Sequence, residues 1–250
     1  MATHLQVFGV PGVPEATRGA DLARMCGEAL DRASLRLEPG DVVVVAQKLV
    51  SKAEGAMVLL ADVVPSALAS RWAAAYGKNA AAIEVILRES RRIVRMDRGI
   101  IIAETHHGFV CANAGVDASN VPAGWVTVLP RDPDASAARL QAGLARRSGV
   151  GIAVVVSDTF GRPWREGTVN VALGVAGLRP LADWRGRQDT QGRVLQTTVV
   201  AVADEIAGAA ELVMGKTAEM PIAIVRGAGE WLGDGSGSML MRPAGSDLFR

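Results

Sequence analysis

Apolar positions along the chain fall into two patterns: short unbroken runs, and longer stretches in which they recur three or four residues apart. Leu5–Val10, Asp41–Ala46 (DVVVVA), Ile100–Ala103, Val126–Leu129, the start of Gly151–Gly167 (GIAVVV) and Pro221–Val225 belong to the first kind. They read as strands, and the valine-rich ones as strands covered on both faces. Between Ala20 and Ala33, Leu22, Ala23, Met25, Cys26, Ala29 and Leu30 recur at helical spacing, which places Cys26 in a core. Ser66–Gly77, Ala80–Arg92, Ala135–Arg147 and Thr197–Met214 read as further helices, with Tyr76-Gly77-Lys78-Asn79 as a break. Gly167–Arg193 has no clear period and reads as short elements and loops around a site. In the tail, Gly227–Arg250, the phrase Gly233-Asp234-Gly235-Ser236-Gly237 reads as a flexible loop. The alternation predicts an α/β, mixed α+β fold of two lobes with the site in the cleft between them. No repeat or linker divides residues 1–250, so they form one unit.

Composition narrows the function classes. The chain has 250 residues, 49% of them hydrophobic but only 4% aromatic, so its core is built of Val, Ala, Leu and Ile. A net charge of +1 gives no support for a nucleic-acid or membrane-surface partner. Cys26 and Cys111 are far apart and in no metal-ligand spacing, which suits a reduced compartment. With no basic leader and no long apolar run, a cytoplasmic location is expected. Only four of the 27 basic residues are lysine, which makes Lys48, Lys52, Lys78 and Lys216 worth locating.

Candidate chemistry gathers where runs end. After GIAVVV come Ser157, Asp158 and Thr159, a carboxylate between hydroxyls where the strand should emerge, with Gly161 and Pro163 barring helix and Arg162 and Arg165 following. In open α/β sheets ligands sit outside the carboxyl ends of strands, so this group suggests a metal and a phosphate. The competing reading is a capped turn with solvated arginines. DVVVVA likewise ends in Gln47-Lys48-Leu49-Val50-Ser51-Lys52, where Lys52 is either a phosphate ligand or an exposed lysine. Phe109–Asn120 is a small-residue ligand loop carrying Asp117 and Asn120. Asp117 and Asp158 would supply two hard oxygen ligands, as magnesium or manganese on phosphates requires. Arg88, Arg91, Arg92, Arg95 and Arg98 form a basic cluster, either a solvated helix face or a contact for an anionic substrate. His106 and His107 adjoin Glu104, but neighbours in extended chain point apart, so they do not share one ion. Gly215-Lys216-Thr217 follows a helix and precedes a strand, which excludes a P-loop and suggests a helix cap.

Together PGVPE, DVVVVAQKLVSKAEG, ETHHGFVCANAGVDASN, VVSDTFGRPWREG, ADEIAGAAELVMGK and RPAGSDLFR resemble, in that order, the coenzyme F-420:L-glutamate ligases. The resemblance implies a GTP- and divalent-metal-dependent amide ligase that adds L-glutamate to a deazaflavin coenzyme precursor and releases GDP and phosphate. It makes Asp117, Asp158 and Thr159 metal ligands, for two magnesium or manganese ions, and admits a monovalent cation. It makes Val13, Pro14, Glu15, Ala16, Gln47, Lys52, Asn120, Met214, Gly215 and Lys216 nucleotide contacts. It also implies a two-lobed monomer in an intertwined homodimer. Some relatives carry a second, nitroreductase-like domain, which is not expected here.

The implied chemistry has a physical logic. A carboxylate must become an acyl phosphate before an amine attacks it, and both reactants are anions. Charge on Asp158's metal and on Lys52, with Arg162 or Arg165 as candidates, would offset that repulsion. Glu104, His106 and His107 are candidates for the base that deprotonates the amine. Two other classes compete: a nucleotide- or coenzyme-binding homologue without turnover, and a metal-dependent phosphohydrolase.

Overall fold

The computed structural model describes residues 4–247; Met1–Thr3, and Leu248–Arg250 of the closing motif, lie outside it. In chain order the strands are β1 (Gln6–Gly9), β2 (Val42–Ala46), β3 (Met57–Leu59), β4 (Ser90–Asp97), β5 (Ile100–Thr105), β6 (Val110–Ala112), β7 (Trp125–Thr127), β8 (Ala153–Gly161), β9 (Thr168–Ala176), β10 (Ala182–Asp183), β11 (Val199–Val200) and β12 (Ile222–Arg226). The helices are α1 (Leu22–Arg32), α2 (Gln47–Glu54), α3 (Ala67–Tyr76), α4 (Ala80–Arg88), α5 (Pro133–Ser148) and α6 (Val202–Met214). The fold is mixed α/β.

A five-stranded sheet of order β1-β12-β2-β8-β9 forms the centre, with β2 and β8 its one parallel pair. Alternation along β2 explains its unbroken valines. Val43 and Val45 join a cluster with Cys26 and Leu30 of α1, Leu49 of α2 and Leu140 of α5. Val42 and Val44 face the other way, onto Ala203, Ile206 and Ala210 of α6. Both faces are therefore dry, and an apolar residue is required at every position. A separate three-stranded sheet, β4-β5-β6, packs Ile101 and Ala103 against Ala69, Ala73, Ile83 and Ile86 of α3 and α4.

Three expectations are corrected. The helix expected over Ala80–Arg92 stops at Arg88, and residues from Ser90 onward form β4. Register shifts between Ser90 and Arg92 and between Ile93 and Arg95 break the period-two pattern that would have shown a strand. The basic cluster thus lies largely on a strand, with Arg91 and Arg92 turned onto the buried Glu104 at 3.5 and 3.1 Å. The aperiodic stretch from Gly167 contains the nine-residue β9. Gly174 interrupts it because an added Cβ would stand 2.1 Å from the Pro133 carbonyl oxygen, a close approach only glycine allows. The helix expected from Thr197 begins at Val202, after β11.

In the tail, residues 233–236 are neither helix nor strand, as the GDGSG phrase predicts, and short 3₁₀ turns stand at Gly229–Trp231, Gly237–Leu240 and Ala244–Ser246. The Gly237 N–H donates to Asp134 Oδ1 at 2.6 Å. Among the described residues, no helix is long and apolar enough to cross a membrane.

Candidate active site

β2 passes into α2 with no intervening loop. Ala46, in an extended conformation, is both the last strand residue and the helix N-cap, and it offers no side-chain hydrogen bond. The first N–H groups of α2 therefore point out beyond the sheet's carboxyl edge, unsatisfied by a cap and electropositive. Gln47 and Lys48 occupy that first turn. Lys48 Nζ lies 2.6 Å from Asp117 Oδ2 and 2.5 Å from Ser119 Oγ. One helical turn on, the buried Lys52 donates to Glu15 Oε1 at 2.7 Å and to the Asn120 carbonyl at 2.6 Å, tying two loops together.

The strand carrying Asp158 does not stop where the sequence suggested. β8 runs to Gly161, so Ser157, Asp158 and Thr159 are strand residues paired with β9, not a capped turn. They nevertheless lie at the edge. Ala46 pairs with Ser157 as the last rung of β2–β8, and everything beyond has β9 as its ladder partner. A register shift between Val156 and Ser157 marks the same point. Thr159 donates to Asn170 Oδ1 across the hairpin at 2.7 Å, and Lys216 Nζ contacts Thr159 Oγ1. Gly215 closes α6 as expected, its N–H bonded to Glu211 O, and Lys216 pairs with Glu211 at 2.7 Å.

These pieces enclose a cavity of about 870 Å³. Val13, Pro14, Glu15, Ala16, Gln47, Lys52, Asn120, Asp158, Thr159, Met214, Gly215 and Lys216 all line it. Asp117 does not, because Lys48 caps its carboxylate and forms the wall there. Lys48 and Ser157, noted in the sequence for their place after the apolar runs, line the cavity too, as do Asn170 and Glu211, which the sequence did not mark. Nothing local marks Asn170, whose role comes from cross-strand pairing. Gln47 Oε1 is buried with no hydrogen-bond partner among the described residues, while its Nε2 donates to Ser51 Oγ and to Val128 O.

The two acids differ in character. Burial pushes the Asp158 carboxyl up to about 6, and the charge of Asp117 adds to this, while the Thr159 N–H, Lys48 and Lys216 oppose it. Burial also acts to raise Asp117, but the hydrogen bonds from Lys48 and Ser119 outweigh it and hold it below the usual carboxylate range. Burial and the nearby Asp158 push the Cys111 thiol to about 12, so it is an apolar neighbour, not a nucleophile.

Among the described residues no three His, Cys, Asp or Glu side chains converge as a metal cluster. Two carboxylates and a hydroxyl at a cavity of nucleotide size are instead the donor set of a magnesium-type ion, which takes one or two carboxylates and completes its shell from water and substrate phosphate. The residues present fit such an ion.

Glu104, His106, His107 and the arginines do not line this cavity. His106 Nε2 meets Arg88 O at 2.9 Å, and His107 Nε2 meets Pro130 O at 2.9 Å. Arg162 bonds back to the Glu166 carbonyl within its own hairpin tip, and Trp164 is 82% exposed there. His107 borders a second cavity, of about 510 Å³, near the start of α5.

Comparison with known proteins gives consistent matches. The profile of the family described as F420-0:Gamma-glutamyl ligase matches residues 12–227. The chain is 47% identical to the Coenzyme F420:L-glutamate ligase of Methanothermobacter thermautotrophicus, covering 98% of this chain and 99% of that protein. It is 45% identical to the protein so named in Methanopyrus kandleri, covering 98% of each. For that of Archaeoglobus fulgidus the identity is 38%, over 99% of this chain and 97% of the relative.

Proposed function

The chain belongs to the F420-0:gamma-glutamyl ligase family, and from that premise we propose that it joins L-glutamate to the deazaflavin coenzyme F420 precursor at the expense of GTP. The observation that carries the GTP- and metal-dependent part is the meeting, at one carboxyl edge, of the bare α2 N-terminus, Lys48, Lys52, Lys216 and the Asp117–Asp158 pair. Backbone N–H groups and lysines at a helix start are a phosphate site. A pair of acids beside them suits magnesium or manganese bound to those phosphates.

Asp117, Asp158 and Thr159 would hold the divalent ions, which when bound neutralise phosphate charge and align the attacking and leaving oxygens. The chain's own groups do the rest. The α2 N–H groups and the lysines grip the phosphates. The Val13–Ala16 loop, Gln47, Asn120 and Met214 enclose the nucleoside, with Gln47 Oε1 open to a donor from it. The precursor's carboxylate oxygen attacks the γ-phosphorus, the bond to the β-phosphate oxygen breaks, and GDP leaves. The glutamate amine then attacks the acyl carbon, loses a proton, and expels phosphate. Positive groups fixed before the reaction stabilise the charge that develops between two anions. A homodimer, two lobes closing on the cavity, a cytoplasmic location and a monovalent cation belong to the same proposal.

GDP release that requires both glutamate and precursor tests it. Release without an acceptor indicates a hydrolase, and nucleotide binding without release indicates a non-catalytic homologue.

A further inference from the structure

Two ammonium groups converge on the acid site from unconnected parts of the fold. Lys48 leaves the first turn of α2 and bonds Asp117 Oδ2 at 2.6 Å and Ser119 Oγ at 2.5 Å. Lys216 follows the end of α6, contacts Thr159 Oγ1 and pairs with Glu211 Oε1 at 2.7 Å. Two of the three groups proposed to bind a divalent cation, Asp117 and Thr159, are thus engaged by lysine. An ammonium and a divalent ion compete for the same lone pairs, and at such separations they also repel. Lysine suits exchange: it is a compact charge on a flexible four-carbon stem, able to swing several ångströms while its backbone stays in the helix. Lys52 is different, since it is buried and ties Glu15 to the Asn120 carbonyl on another part of the wall.

We propose that Lys48 and Lys216 are exchangeable counter-ions. They hold Asp117 and Thr159 in place when no divalent ion is bound, and they transfer to nucleotide phosphate oxygens when the ion takes over those two groups. This rests on the metal-dependent reading above. The exchange keeps the charge of the site nearly constant and makes ion and nucleotide binding mutually supportive. The ion expels the lysines, and the phosphates receive them. Coupling of this kind is reciprocal, so nucleotide tightens ion binding by the same factor.

The test is a titration of Mn²⁺ into nucleotide-free protein, followed by the electron paramagnetic resonance of the free ion, for wild type, Lys48→Met and Lys216→Met. With no lysine to displace, Lys48→Met is expected to bind Mn²⁺ about tenfold more tightly. The gain in Mn²⁺ affinity on adding GDP should shrink at least about fivefold, because the phosphates lose a ligand. Lys216→Met is expected to shift both readouts in the same direction, and serves if Lys48→Met does not fold. Unchanged or weaker Mn²⁺ binding in a folded variant overturns the exchange. Failure of wild type to bind Mn²⁺ even with GDP overturns the metal reading itself, and the exchange with it.

Discussion

Ala46 and Ser157 stand opposite each other as the last rung of the parallel pair β2–β8. Beyond that rung β2 turns at once into α2, and β8 continues with β9 alone. Lys48 and Asp158 therefore emerge two residues and one residue past a common point, close enough for the lysine's charge to lower the carboxyl's proton affinity. The site is a consequence of where two strands stop being neighbours, which is the general location of ligands in open α/β sheets.

Asp158→Asn removes a charge at nearly constant volume. Turnover should fall at least about a hundredfold, while circular dichroism stays native. The acid's ordinary value near 3.8 is raised to about 6, mainly by burial, so its ionised form is penalised in the folded state. That penalty is fully present above pH 6 and disappears as pH falls below 3.8. In chelator at pH 7.5 the variant should therefore be more stable than the parent by on the order of 1 kcal/mol, with the two melting curves converging near pH 4. A less stable variant at pH 7.5 contradicts the burial account.

Lys52→Met breaks the link between the Val13–Ala16 loop and Asn120. Charged hydrogen bonds of this kind are worth about 1.5–3 kcal/mol, so the KM for GTP should rise tenfold or more. Steady-state kinetics at saturating glutamate check this, and an unchanged KM returns Lys52 to a purely structural role.

Glu104 was a candidate base, but it is buried beneath Arg91 and Arg92, away from the cavity. Glu104→Gln should cost about 1–3 kcal/mol of stability in urea titration by replacing the buried carboxylate that Arg91 and Arg92 reach with a neutral amide. Its kcat should stay within about threefold of wild type, given the small effect expected of a group outside the site. A collapse of kcat with stability intact would restore the catalytic reading.

Gly174→Ala forces a Cβ to within 2.1 Å of Pro133 O, at the start of α5. Overpacking against backbone should cost about 1–3 kcal/mol or more, seen as a lowered melting temperature. No loss would mean that α5 yields freely.

The central sheet was legible because burial on both faces demands unbroken apolar runs, and β2, the first half of β8 and β12 have them. The acids, the two lysines and the small-residue loop were legible as types out of place after such runs. What escaped notice depends on pairing between distant segments. β9 carries Gly174 for a contact with α5, β4 carries two register shifts, and Asn170 enters the site only by facing Thr159 across the hairpin. The extension of β8 through Gly161 was hidden for a related reason: paired only with β9 and partly exposed, it no longer needs apolar residues on both faces.

Amide-bond formation driven by GTP is read out by mass spectrometry of the deazaflavin precursor after incubation with the protein, GTP, L-glutamate and Mg²⁺ or Mn²⁺. The expected product is heavier by a glutamyl residue, formed in step with GDP and absent when glutamate, GTP or the metal is omitted. An unchanged precursor accompanied by GDP, or GDP formed equally well without precursor and glutamate, would contradict GTP-driven ligation.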